Sequence, residues 1–367
     1  MLRKITFSAI ALTSLYAAKA QDSAAVESVE KKAFAISGYV DAYYRYNFNN
    51  PKKELDATNN YTSFTNSQNS FELGMASVKL EHSIGKVGVV ADLGFGKRAE
   101  EFSYADDKTR MAVKQAYITY APTANLKLTA GNFATHVGYE LVDPYLNRNY
   151  SMSYMFSYGP FSHTGLKADY SFGKSAVMLG VVNPTDFKSA NFARKFLIGQ
   201  YSLSTEKVKM FLNYQGGTFA DYYSAGTDNF DGKVQQGDLV LTATLSDKFS
   251  LGYNGTLQSV KLRDKATAKS GDNENWWGSA LYVNADPTPA FGLTLRGEYF
   301  DNAKMANPFA PATSLFATTL SVNLKAGPLT FVPELRMENA KDAIFVKHAG
   351  EATKSAATGL LAAIYKF

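Results

Sequence analysis

The sequence predicts an all-β fold, a transmembrane antiparallel up-and-down β-barrel, most simply of sixteen strands. Three observations predict it. Apolar and polar residues alternate with period two along nearly the whole chain. Short and long connections alternate between the alternating segments. The chain also ends on such a segment, whose outward row closes with an aromatic residue. A strand points successive side chains to opposite faces, so this pattern gives one lipid face and one wet face. About ten residues of it is the length that crosses a bilayer at a tilt.

Residues 1–20 read as an export signal. Arg3 and Lys4 open it, residues 5–17 are mostly apolar, and Ala18-Lys19-Ala20 is a small-x-small cleavage site. The apolar core is too short for a membrane helix. Residues 21–34 read as a polar periplasmic lead-in, and 35–367 as the barrel. Without Arg3, Lys4 and Lys19 the chain keeps 35 Lys and Arg against 33 Asp and Glu. That near-neutral balance argues against nucleic acid as a partner. There are no cysteines, so an exported chain of this kind relies on hydrogen bonds and packing. Aromatic residues make up 14%, which suits the two interfacial girdles of a membrane barrel.

The first strand, 35–48, shows the pattern most clearly. Ile36, Gly38, Val40, Ala42, Tyr44, Tyr46 and Phe48 form one row, and Ser37, Tyr39, Asp41, Tyr43, Arg45 and Asn47 the other. Further strands follow near 70–84, 87–96, 110–121, 125–133, 163–172, 175–183, 195–203, 208–215, 236–246, 249–260, 274–285, 290–300, 314–324, 328–338 and 355–367. Short connections such as Gly85-Lys86, Gly173-Lys174 and Asp247-Lys248 alternate with long polar ones such as 49–69, 97–109, 216–235 and 339–354. This is the asymmetry of an outer-membrane barrel. An even number is required if both termini share one side; fourteen and eighteen stay open beside sixteen.

The outward rows are free of charge in the clearest strands, for example Phe291, Leu293, Leu295, Gly297 and Tyr299, or Leu329, Phe331, Pro333, Leu335 and Met337. A lipid-facing Lys or Arg at mid-bilayer costs about 2–4 kcal/mol. Three places fit less well. Lys114 falls in phase with Ala116, Ile118 and Tyr120, which requires a rim position or a bulge. The phase slips between Leu73 and Ala76. Segment 175–183 is apolar on both rows.

The inward rows carry charge: Asp41, Arg45, Lys167, Asp169, Arg296, Glu298, Glu334, Arg336 and Glu338, together with Asp92, Lys127, Lys209 and Asp238. Spacing by two places Arg296 with Glu298, and Glu334 with Arg336 and Glu338, on one face. One reading is a charged ladder lining a water-filled channel; the other is a set of internal ion pairs in a plugged barrel. A lumen of sixteen strands is too wide for side chains alone to fill, which favours the channel. The mixture of signs gives no strong ion selectivity.

The connection 134–162 is the longest and is rich in aromatics, unlike a free solvated loop. Folded into the lumen, it would narrow the path with Glu140, Asp143 and Arg148 at the constriction. The alternative is two further strands. In the last strand Gly359, Leu361, Ala363, Tyr365 and Phe367 share a row. Tyr365 and the terminal Phe367 resemble the signal read by the barrel-assembly machinery of Gram-negative outer membranes.

No catalytic or cofactor-binding set emerges. The four histidines are His82, His136, His163 and His348. Ser162 and His163 are adjacent in a strand and point to opposite faces. His136 could cluster with Glu140 or Asp143, but with no second histidine nearby the set argues against a metal site. No Gly-rich phosphate loop is present.

Asn132-Phe133-Ala134-Thr135, Gly138-Tyr139-Glu140, Asn147-Arg148-Asn149-Tyr150-Ser151 and Gly159-Pro160-Phe161-Ser162-His163-Thr164-Gly165 resemble the central signature of the OmpL-like β-barrel porin family. Gln115-Ala116-Tyr117 and Ser37-Gly38-Tyr39-Val40-Asp41-Ala42-Tyr43-Tyr44 do so too. The resemblance covers most of the mature chain and is strongest before about residue 185. It implies a porin of the Gram-negative outer membrane that passes small solutes, with no catalytic residues. The resulting expectation is passive diffusion of small hydrophilic solutes and ions without cofactor or energy source. The alternatives are a substrate-specific channel, for instance for sugars, and a plugged barrel serving as a surface-binding or structural protein. Expected partners are outer-membrane lipid and lipopolysaccharide, the assembly machinery and, by analogy, two further copies in a homotrimer.

Overall fold

The computed structural model describes residues 34–219 and 230–367. The expected export segment 1–20, the lead-in apart from Phe34, and the middle of the loop 216–235 lie outside the described residues. The strands are β1 (Ala35–Asn47), β2 (Ser70–Ile84), β3 (Val87–Phe95), β4 (Val113–Tyr120), β5 (Leu126–Ala134), β6 (Ser162–Phe172), β7 (Ser175–Val182), β8 (Phe196–Ser204) and β9 (Val208–Phe219). They continue as β10 (Phe230–Ser246), β11 (Phe249–Asp264), β12 (Ser270–Thr288), β13 (Phe291–Asp301), β14 (Ser314–Ala326) and β15 (Leu329–Ala340). A small hairpin, β16 (Phe345–Val346) and β17 (Ala352–Thr353), precedes β18 (Ser355–Lys366). Sixteen of these strands close into one barrel, and the hairpin stands apart as its own two-stranded sheet. Sequence neighbours pair antiparallel, and β18 closes the ring between β15 and β1. Closure satisfies the backbone of every spanning strand internally, which lipid demands.

The alternation read from the sequence becomes an alternation in burial. In β15, Phe331, Leu335 and Met337 are exposed to the outside while Val332, Glu334, Arg336 and Glu338 are buried inside. The misfits resolve physically. The β3–β4 register passes from Asp92 opposite Gln115 to Leu93 opposite Val113. The skipped residue, Lys114, is thereby turned inward and buried. The β1–β2 register likewise steps from Asp41 opposite Met75 to Ala42 opposite Leu73, skipping Gly74. A Cβ at Gly74 would lie 1.9 Å from Asp41 Oδ2, so only glycine lets that carboxylate sit against the bulge. The segment apolar on both rows, now β7, packs Met178 and Val182 inward against Phe133, Phe196 and Ile198.

Strands β9 to β12 run further than their sequence pattern indicates. The extension of β10 places Val234 beside Val260 in an inner apolar cluster, but Lys233, Gln235, Lys261 and Arg263 face outward and are exposed. The outer face there is polar because it rises beyond the apolar band, which erases the lipid-facing signal. At the other end of the chain, Phe367 N–H donates to Gly38 O at 2.9 Å and Gly38 N–H to Phe367 O at 3.0 Å. A Cβ at Gly38 would lie 2.7 Å from the Phe367 ring, so the ring lies across bare backbone. Tyr365 and Phe367 both face the exterior and are exposed.

Candidate functional site

Residues 135–161 contain no strand. They form one 3-10 turn (Pro144–Leu146) and one helical turn (Tyr154–Ser157), with Ser153 capping the latter by accepting from Phe156 N–H. An irregular segment inside a barrel must find partners for its own backbone. The charged inward row of β13 to β15 supplies them. Glu334 accepts from Tyr150 N–H at 2.8 Å and Ser151 N–H at 3.2 Å. Arg296 donates to Ser151 O at 2.8 Å, and Arg336 to Met152 O at 2.9 Å. Glu298 accepts from Tyr154 N–H at 2.8 Å. Within the loop itself, Glu140 accepts from Ser153 N–H at 2.7 Å.

These groups also pair with one another. Glu140, Arg296, Glu298, Arg336 and Glu338 form a run of alternating sign. The Arg296–Glu140 contact is 2.6 Å, Arg296–Glu298 3.5 Å, Arg336–Glu298 3.0 Å and Arg336–Glu338 3.1 Å. All five are buried. Burial, then the neighbouring Glu338 carboxylate, holds the Tyr154 hydroxyl well above the usual phenol range. It therefore stays a donor, and it donates to Glu338 at 2.6 Å. Tyr150 is held up in the same way by burial and Asp41, and its hydroxyl donates to the Asp41 carboxylate.

The three residues expected at the constriction each tie the loop to the wall. Glu140 meets Arg296. Asp143 meets Lys114 at 2.6 Å and accepts from Tyr39 OH at 2.9 Å. Arg148 forks onto Asp286 at 2.7 and 2.9 Å and donates to Thr294 at 2.8 Å. On the far side, Gly138 N–H donates to Asp238 at 3.0 Å and Tyr139 N–H to Asn254 at 3.3 Å. The loop thus reaches from β10 and β11 across to β15, β1 and β4.

Of the nine residues read as pore-lining, Asp41, Arg45, Arg296, Glu298, Glu334, Arg336 and Glu338 face inward and are buried. Six of them lie beneath the 134–162 loop. Arg45 holds a second connection instead, donating to Thr58 O at 2.9 Å and Ser67 O at 2.5 Å. Lys167 and Asp169 pair at 3.1 Å, with side chains 20% and 25% exposed. Every barrel strand contributes at least one buried inward side chain. Above the loop, rim segments interlock. The Asn59 side-chain amide bonds both Val346 N–H and Val346 O at 2.8 Å. Phe64, Phe102, Met152, Phe156 and Phe161 form one apolar cluster, and Tyr154, Trp276, Phe300, Ala310 and Phe345 belong to another.

Several anchors escape the sequence reading. Lys114 was visible only as a charge in the wrong phase, and Asp286 sits in what reads as a turn. The hydrogen-bonding side chains Asn149, Ser321 and Asn323 carry no charge to mark them; Asn149 donates to Ser321 at 2.6 Å and Asn323 to Arg148 O at 2.9 Å. His163 corrects the expectation that His136 has no second histidine nearby. Pairing of β5 with β6 brings their ring centroids to 5.3 Å.

A family model described as "Putative beta-barrel porin-2, OmpL-like" matches residues 33–367. No curated protein sequence matches the chain. Among solved structures, the chain is similar to the outer membrane channel DcaP of Acinetobacter baumannii, with a TM-score of 0.60 and 12% identity over 91% of this chain and 97% of that one. It is also similar to an anion-selective porin from Comamonas acidovorans, with a TM-score of 0.57 and 11% identity over 91% and 99%. OmpT of Vibrio cholerae gives 0.57 and 11% over 93% and 100%. At these identities the likeness speaks for the fold alone.

Proposed function

The chain belongs to the OmpL-like β-barrel porin family of the outer membrane, and from that membership we propose that it passes small hydrophilic solutes and ions by passive diffusion, along a path limited by the 134–162 loop. The observation that carries this reading is the division of labour inside the barrel. A separate segment crosses the lumen and is held to the wall through hydrogen bonds and ion pairs. A loop held in this way sets the width of the path without altering the barrel. The pair Lys167–Asp169, more exposed than the other residues read as pore-lining, supports a route along the β5–β8 side, with Asp41, Arg45 and the β13–β15 charges as the anchoring wall. Liposome swelling tests the reading: entry of small sugars and amino acids should fall with solute size, and absence of swelling with a folded barrel would overturn it.

One observation favours a second reading, a plugged barrel that binds at its surface: buried inward residues occur on every strand. A sugar-specific channel draws less support, because the loop's aromatic rings already have partners. Tyr139 stacks on Tyr282 at 4.1 Å and Tyr154 on Phe300 at 5.3 Å. The export signal 1–20, contact with lipopolysaccharide, and recognition of Tyr365 and Phe367 by the assembly machinery belong to the same proposal. So does a homotrimer, since a similar solved structure, Vibrio cholerae OmpT, is described in a trimer form.

A further inference from the structure

We propose that His136 and His163 form a binding site for a borderline transition-metal ion, copper(II) or zinc, through Nδ1 of each ring. His136 stands two residues past β5, where the 134–162 loop begins. His163 is the second residue of β6, where that loop has just ended. The ring centroids are 5.3 Å apart and the planes are inclined by 45°. Two imidazoles bound at about 2.0–2.1 Å to one tetrahedral ion have centroids about 5 Å apart, close to the separation of these two rings.

The outer nitrogens are already engaged. His136 Nε2 lies 3.0 Å from Tyr214 O. A carbonyl oxygen only accepts, so Nε2 carries the proton and Nδ1 of the neutral ring is a bare lone pair. His163 Nε2 lies 3.3 Å from Thr135 Oγ1. Both Nδ1 atoms are buried without a hydrogen-bond partner, and His163 is itself 1% exposed. Neighbouring rings oriented through one nitrogen, with the other nitrogen unpartnered, are the arrangement of metal-ligating histidines. Lys167 is near, but its charge is taken up by Asp169 at 3.1 Å.

Among the described residues no group of three or more His, Cys, Asp and Glu side chains is placed to hold a metal. The site therefore supplies two side-chain nitrogens. Two imidazoles select copper(II), zinc or nickel(II) over the hard cations calcium and magnesium. A bound ion would clip the start of the loop to β6. This inference rests on the histidine geometry and is independent of whether the barrel conducts.

The test is titration of the full folded barrel in detergent micelles with copper(II), read by electron paramagnetic resonance, with zinc as competitor. The wild type should bind one equivalent with superhyperfine splitting from two nitrogens. His136→Gln and His163→Gln should each weaken binding by more than about 100-fold, since loss even of an outer partner costs 10–100-fold. The variant His82→Gln/His348→Gln should bind as the wild type does. Heat-modifiable migration reports folding; His136 is half-buried, so His136→Gln decides the outcome if His163→Gln does not fold. No copper binding at micromolar concentration, binding that survives His136→Gln, or binding lost in the His82→Gln/His348→Gln variant would each overturn the proposal.

Discussion

Arg296 Nη1 lies 2.6 Å from Glu140 Oε1, joining the wall strand β13 to the 134–162 loop inside the barrel, and both side chains are buried. The pair is not symmetric. Arg296 also faces Glu298 and donates to Ser151 O and Met152 O. Arg296→Met therefore leaves two buried carboxylates and two carbonyls short of a partner. It should cost about 3–5 kcal/mol. Glu140→Gln keeps an acceptor and leaves Arg296 with Glu298; it should cost about 1–3 kcal/mol. Urea unfolding in micelles measures both, and equal costs would contradict the asymmetry.

Glu334 acts on the loop's backbone. It accepts from Tyr150 N–H, Ser151 N–H and Ser321 OH. Glu334→Gln turns an amide NH2 toward a buried donor, a local cost of about 1–3 kcal/mol. Amide hydrogen exchange across residues 148–155 should accelerate roughly 5–100-fold at that cost, while the circular dichroism of the barrel stays unchanged.

Lys114 is held between Asp92 at 3.2 Å and Asp143 at 2.6 Å. Lys114→Met preserves length and loses the charge, leaving two carboxylates facing each other. The expected loss is about 3–5 kcal/mol. Adding Asp143→Asn should return part of it, because the remaining repulsion is removed. No recovery in the double variant would contradict the ion-pair account.

Asp186 gives a pH dependence. It accepts from Phe161 N–H at 2.7 Å, Ser162 N–H at 2.8 Å and Tyr104 OH at 3.0 Å, fastening the end of the loop to the 183–195 connection. Burial pushes its carboxyl up to about 6, outweighing the donors from Ser162, Phe161 and Tyr104 and the Lys188 charge. The folded chain thus keeps a proton that the unfolded chain, near 3.9, has released. The stabilisation from Asp186 is full below about 4 and is lost as pH rises to about 6. Relative to Asp186→Asn, the thermal midpoint of the wild type should fall across that window and stay level above it.

The barrel was legible because lipid enforces a period of two, which marks most of the sixteen barrel strands and fails in β7, apolar on both rows. The signal weakens where lipid stops: the extensions of β9 to β12 carry Lys233, Gln235, Lys261 and Arg263 outward and so read as loop. The charged ladder was legible as a face, since Glu334, Arg336 and Glu338 share a phase. Its partner was not, because contacts such as Glu334 with Tyr150 join residues 184 apart in sequence through hydrogen bonds to backbone. Backbone donors leave no trace in residue identity. Bulges hide in the same way; Lys114 looks lipid-facing until one skipped pairing turns it inward.

The most direct test of the account is single-channel conductance in a planar bilayer, comparing the wild-type barrel with a variant whose residues 140–157 are replaced by a short Gly-Ser link. If the anchored loop limits the path, the wild type gives small ohmic steps and the shortened variant gives steps several-fold larger. Equal conductance in two folded barrels would contradict it.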